Sequence, residues 1–290
     1  MTDNKPLITV RELQERMATR PESVLVCDCR SDLVDYDLGQ KLYSQSHIPG
    51  ARFVSMNTEL SGPKTGSNGR HPLPDKSAFV AALAQWGVND DTLVVGYDSH
   101  GGTYASRLWW LVRRAGHAGV AVLDGGLPAW EAAGFPVTAA PFVGRAAGNI
   151  RQGSPLVTEV DLVNVRAGLG NPARVIVDAR PADRFQGQNE TLDPRPGHMP
   201  GARSRPSKNN VTDAGFFKDP ATLRTEYERL LGGHKPQQMV ATCGSGVSAC
   251  HMLLAMQIAG LPGGALYGGS WSEWSAQADT PAELGPGLGV

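Results

Sequence analysis

The 290-residue chain carries 27 basic and 28 acidic residues, a net charge of −1. That balance gives no electrostatic case for a nucleic-acid or other polyanionic partner. No stretch approaches the roughly 18 consecutive apolar residues of a membrane span, and the start, Met1 to Pro6, lacks the apolar run of a signal peptide. A cytoplasmic protein with no membrane partner is expected.

The length suits one large domain or two of about 140 residues. Thr9 to Leu13 opens a predicted helix, and Ser23-Val24-Leu25-Val26-Cys27-Asp28-Cys29-Arg30 reads as an apolar strand ending in a charged pair. His47-Ile48-Pro49-Gly50-Ala51-Arg52 follows, then a Gly- and Pro-rich loop through Pro74 and a helix around Ser77 to Trp86. Two further strands, Thr92 to Asp98 and Val120 to Leu123, flank a helix from Ser106 to Ala115. The second of them ends at Asp124-Gly125-Gly126, with Trp130 beyond.

The same order then recurs. Asp178 and Arg180 answer Asp28 and Arg30, and His198-Met199-Pro200-Gly201-Ala202-Arg203 answers the run at His47. Cys243 answers Asp98, and Tyr267-Gly268-Gly269 with Trp274 answers the Gly-Gly and Trp of the first half. The offsets are 150, 151, 145 and 143 residues. The chain is therefore read as two copies of one α/β domain, residues 1–138 and 156–290, joined by a linker at 139–155. Alternating strands and helices predict, in each copy, a mainly parallel sheet covered by helices on both faces. Features shared by both copies, His47 and His198 included, are expected to be structural. Those present in only one copy are the functional candidates.

Cys243 is the foremost of these. Met239 and Val240 end a predicted buried strand, Cys243-Gly244-Ser245-Gly246-Val247-Ser248 forms a tight loop, and a helix is expected from Ala249 to Gly260. Glycines let backbone N–H groups turn inward, and such a ring at a helix N-terminus makes an anion-binding concavity. A thiolate, or the outer sulfur of a persulfide, suits it. Ser248 at the start of the helix is read first as an N-cap. Cys27 and Cys29 lie two apart on a strand, poorly placed for a local disulfide, and Cys250 is expected to be buried. No His/Cys cluster has zinc spacing, so neither a metal nor another cofactor is expected.

The duplication, the Cys243 loop and the run Tyr267-Gly268-Gly269-Ser270-Trp271-Ser272-Glu273-Trp274 resemble the two-domain rhodanese superfamily, over nearly the whole chain. The resemblance implies two tandem rhodanese-like domains, a non-catalytic N-terminal one and a catalytic C-terminal one. It also implies sulfur transfer through a Cys243 persulfide to a thiol, thioredoxin or cyanide. Members acting on 3-mercaptopyruvate typically read Cys-Gly-Ser-Gly-Val-Thr in this loop, and this chain matches with Ser248 in the last place. A loop without Lys or Arg is also a poor match for dianionic thiosulfate, whereas a guanidinium grips a single carboxylate with paired hydrogen bonds.

By the same resemblance Arg184 and Arg195 match the substrate arginines, although two more residues than usual separate them. Ser245 and His71 match the serine and histidine of a proton relay, with Asn57 standing where an Asp is expected. Substrate contacts are thus expected from Arg184, Arg195, Gly244, Gly246, Val247 and Ser248, and catalysis from Cys243, Ser245 and His71. The alternatives are a thiosulfate:cyanide sulfurtransferase and a persulfide carrier or redox sensor. A Cys-dependent phosphatase is disfavoured, since no arginine closes the loop.

Overall fold

The computed structural model describes residues 5–288; residues 1–4, the first part of the start considered above, lie outside the described residues. The chain divides into two units. The first takes the chain to Ser61 together with Pro74–Leu156 and Asp213–Phe217. The second takes Gly62–Leu73, Val157–Thr212 and the chain from Lys218 onward.

In the first unit the strands are β1 (Leu7–Ile8), β2 (Val24–Asp28), β3 (Arg52–Phe53), β4 (Leu93–Tyr97) and β5 (Val120–Leu123). They lie in the order β1-β5-β4-β2-β3, and every pairing is parallel. The helices are α1 (Val10–Thr19), α2 (Leu38–Gln45), α3 (Lys76–Gln85), α4 (Ala105–Arg114) and α5 (Gly126–Ala132). Thr9 caps α1 in a capping box with Glu12, and the Asp75 carboxylate caps α3 by accepting from the Ala78 N–H at 2.8 Å. All of β2 and β5 is buried, as expected of central strands with both faces covered. Leu13, Val26, Val95, Tyr97 and Trp130 are among the residues of its core.

The second unit repeats this plan with β6 (Thr158–Val160), β7 (Val175–Asp178), β8 (Arg203–Ser204), β9 (Met239–Thr242) and β10 (Ala265–Tyr267). Their order, β6-β10-β9-β7-β8, is that of the first sheet, again wholly parallel. Its helices are α6 (Leu162–Ala167), α7 (Ala182–Phe185), α8 (Pro220–Leu231), α9 (Val247–Ile258) and α10 (Ser270–Trp274). Among the described residues no helix is long and apolar enough to cross a membrane.

The shared motifs have the same work in each copy. The Arg30 guanidinium forks onto Asp28 and donates to the Ser46 carbonyl; Arg180 forks onto Asp178 and donates to the Gly197 carbonyl. His47 stacks on Tyr43 with ring centroids 3.9 Å apart, and His198 stacks on Phe185 at 3.8 Å. Each histidine also makes an isolated antiparallel bridge, to Thr138 and Glu283 respectively. These pairs tie a strand end to the returning chain, which is why both copies keep them.

Candidate active site in the second unit

Strand β9 is buried throughout and ends at Thr242, so the next residue, Cys243, emerges at the C-terminal edge of the sheet, where α/β folds place their ligands. Helix α9 begins at Val247, two residues earlier than the composition suggested, and Gly246 is its N-cap with φ of 80°. That left-handed angle requires glycine. It turns the Gly246 N–H onto Cys243 Sγ at 3.1 Å. Nearly all of α9 is buried, so its positive end is fixed beneath the sulfur. Ser248, expected as an N-cap, is the second helical residue instead and makes no cap: the helix starts too early for it.

Gly244 marks where arginine side chains gather. A Cβ there would stand 2.9 Å from Nη2 of Arg70, 3.6 Å from Nη1 of Arg184 and 3.9 Å from Cδ of Arg180. Three arginines therefore converge on the residue after the cysteine. Arg184 is held by Glu190, at 2.8 and 2.9 Å from Nη2, and by Asp193 Oδ2 at 3.0 Å. Arg70 pairs with Asp193 Oδ1. Both carboxylates are almost fully buried, 2% and 1% exposed, so they act as fixed anchors for the guanidinium planes.

Ser245 Oγ and His71 Nδ1 are hydrogen-bonded at 2.8 Å, both residues buried. His71 joins the second unit because the segment Gly62–Leu73 belongs to it. Gly69, at φ of 87°, passes so close to Gly269 that a Cβ would meet its carbonyl oxygen at 2.9 Å. Asn57 and Asp75 belong to the first unit.

Arg195 is placed otherwise. Its Nε donates to the Ser275 carbonyl, Nη1 to that of Thr280, and Nη2 to those of Trp274 and Gln277. The last carbonyls of a helix lack partners within it, and Arg195 supplies them at the end of α10. In this structure its partners brace the end of α10, and the neighbour of Arg184 over Gly244 is Arg70. The sequence reading missed Arg70, although it adjoins the flagged His71.

Ser270 was missed as well. Among the described residues it is the one non-glycine with positive φ, 54°. Its hydroxyl oxygen accepts from the Cys243 N–H at 3.0 Å, donates to the Tyr267 carbonyl at 2.9 Å, and lies 4.0 Å from Sγ. In the first copy the equivalent place holds Gly126, at φ of 58°. The correspondence is fixed by the next residue: Leu127 donates to the Asp98 carbonyl and Trp271 to the Cys243 carbonyl, both at 2.9 Å.

Asp98 itself shows what this loop favours. Its buried carboxylate accepts four backbone N–H groups, from His100, Gly102, Tyr104 and Ala105, at 2.7 to 2.9 Å. The remaining cysteines are buried. Burial pushes the Cys27 thiol up to about 12 and raises Cys29 too, while buried Cys250 donates to the Gly246 carbonyl at 3.1 Å.

A cysteine at the mouth of a strand–loop–helix cradle, in one of two copies of a five-stranded parallel domain, defines a tandem-domain sulfur-handling class of protein. The model of the rhodanese-like domain matches residues 9–133 and 162–277. The Pseudomonas aeruginosa protein named "Probable 3-mercaptopyruvate sulfurtransferase" is 41% identical over 282 residues, covering 96% of this chain and 98% of that one. The thiosulfate sulfurtransferase of Gallus gallus is 36% identical over 81% of each chain. Among solved structures, the 3-mercaptopyruvate sulfurtransferase from Leishmania major superposes with a TM-score of 0.81 at 27% identity, over 94% of this chain and 75% of that one. SseA from Escherichia coli gives 0.78 at 30% identity, over 93% and 100%. The chain belongs to the rhodanese family, among its two-domain sulfurtransferases.

Proposed function

We propose that the protein takes a sulfur atom from 3-mercaptopyruvate onto Cys243 and passes it to a thiol, thioredoxin or cyanide. The observation that carries this reading is Cys243 Sγ held by the Gly246 N–H at 3.1 Å, with the Ser245–His71 pair two residues on. The Cys243 thiolate attacks the donor sulfur, the donor's C–S bond breaks, and its electron pair leaves as the enolate of pyruvate. A proton delivered through Ser245 from His71 turns the enolate into pyruvate. Cys243 then carries a persulfide, whose outer sulfur is attacked by the acceptor, returning the thiolate. Positive dipole at the start of α9 steadies the sulfur charge at both stages.

Arg184 receives the donor carboxylate, and Gly244 leaves room for it. Gly246 supplies the N–H, while Val247 and Ser248 form the first turn of the helix below. Arg195 braces α10. In this reading residues 156–290 form the catalytic domain, joined by the segment Gly62–Leu73 that carries His71, the rest of 1–138 the non-catalytic one and 139–155 the linker. The work is done in the cytoplasm, where the four free cysteines persist as thiols.

The test is kcat/KM with 3-mercaptopyruvate and with thiosulfate, cyanide being the acceptor and Cys243→Ser the blank. A preference for 3-mercaptopyruvate on the order of tenfold or more is expected, since a single carboxylate matches the guanidinium fork. A preference for thiosulfate would keep Cys243 as the nucleophile and overturn the donor.

A further inference from the structure

We propose that the second unit carries a further binding site, for a small organic cation of the short-diamine class, in the cavity lined by β6 and the Gly268–Gly269 turn. None of the residues that line it takes part in the sulfur chemistry described above, so the site stands whichever donor the enzyme uses.

The cavity has a volume of about 330 Å³, at the small end of small-molecule sites. Every residue lining it belongs to the second unit. Three of them are acids, Glu159, Asp161 and Glu273, and among the described residues that line it none is basic. Leu73 and Val160 give it an apolar wall. Glu159 and Asp161 are exposed, whereas Glu273 is half-buried. The Glu273 carboxyl lies against the backbone of Gly269, where a Cβ would have no room. Tyr267, only 1% exposed, lines the cavity too. Its hydroxyl stands by the Glu273 carboxyl yet completes no hydrogen bond of ordinary length and angle. A buried hydroxyl left in that state is a partner a ligand can take.

The first copy shows that this arrangement is no part of the shared scaffold. With Ser270 opposite Gly126, Tyr267 falls opposite Leu123 and Glu273 opposite Ala129. The strand registers, Leu7 beside Val122 and Glu159 beside Leu266, place Glu159 opposite Leu7. Leu, Leu and Ala in one copy are thus Glu, Tyr and Glu in the other. The fold does without these polar groups in its first copy and gathers them around a cavity in its second.

The charges choose the ligand. Burial, with the charge of Asp161, raises the Glu273 carboxyl above its usual range, and a positive charge placed beside it would reverse that. Among the described residues no three His, Cys, Asp or Glu side chains gather as metal ligands do, so a bare metal ion is a poor match. A short diamine offers charge at both ends to separated carboxylates and an apolar stem to Leu73 and Val160.

The experiment titrates the full chain with 1,4-diaminobutane at low ionic strength by calorimetry, with 1,4-butanediol as the uncharged control. Wild type should bind the diamine with a Kd of about 1 mM or below and the diol not at all. Glu273→Gln should weaken binding on the order of tenfold, as for loss of a charged hydrogen-bond partner, and Tyr267→Phe about threefold. Glu159→Gln, a change at an exposed side chain, should weaken it about threefold and decides alone if the buried variants fail to fold. Glu22→Gln, on the first unit, should leave binding unchanged. Absence of binding by wild type overturns the proposal, as does equal weakening by Glu22→Gln, which would mark general charge attraction. Displacement of the diamine by equimolar Mg²⁺ would overturn it as well, in favour of a metal site.

Discussion

Ser270 combines two opposing contributions in one side chain. A non-glycine residue in the left-handed region costs about 1–2 kcal/mol, yet its hydroxyl satisfies the buried N–H of Cys243, whose loss costs about 1–3 kcal/mol. Ser270→Ala keeps the strain and loses the bond, whereas Ser270→Gly loses the bond and sheds the strain. The Gly variant should therefore be the more stable by about 1 kcal/mol in urea unfolding, after allowing for its looser unfolded chain. An Ala variant of equal or greater stability would sink that assignment. The residue scale is also where the sequence was least legible. That Cys243, Arg184, Ser245 and His71 lie near one another could be expected from motif and resemblance. The place of Arg195 could not, because its partners are carbonyls of Trp274 to Thr280, which no side-chain pattern announces. Arg70 was hidden for a related reason: its place depends on the close approach of Gly69 to Gly269, some two hundred residues on.

At the scale of elements, the strands and most helices follow directly from apolar runs and their punctuation. The start of α9 does not, because Gly246 serves as a cap through its φ angle rather than through a side chain. Helix α10 carries a pH-sensitive acid. Burial pushes the Glu273 carboxyl above its usual range, and the charge of Asp161 adds to this. The native state then binds a proton more readily than the unfolded chain. Stability contributed by this group is present below the ordinary glutamate value of about 4.3 and is lost as pH rises through the elevated one. Glu273→Gln should flatten that decline, so the gap in urea midpoint between variant and wild type should widen in the variant's favour as pH is raised. Parallel pH curves for the two proteins would show that the burial of Glu273 is not felt.

Across the whole molecule, the duplication was the most legible feature, because four motifs recur in the same order and the two sheets share one strand order. The sequence offsets could not reveal that Gly62–Leu73 is counted with the second unit and Asp213–Phe217 with the first. Such assignments depend on contacts made at a distance. The duplication also makes each half a control for the other, and Asp98 is the instructive position. Its carboxylate is a permanent counter-ion to a loop that folds around negative charge. In the second half Cys243 stands at that place, and under the proposed function the loop holds sulfur charge instead, on the thiolate and then on the added outer sulfur of the persulfide. Under that proposal turnover and folding stability are linked in the second half of the chain and uncoupled in the first. Protein loaded with sulfur on Cys243 should melt about 2–5 °C above the reduced form in scanning calorimetry, equivalent to roughly 1 kcal/mol. Amide exchange should slow around residues 243–250 and stay unchanged around 98–105. Identical melting of loaded and reduced protein would mean that the sulfur is carried without being gripped; a difference would make each catalytic cycle a small tightening and loosening of one repeat while its twin stays constant.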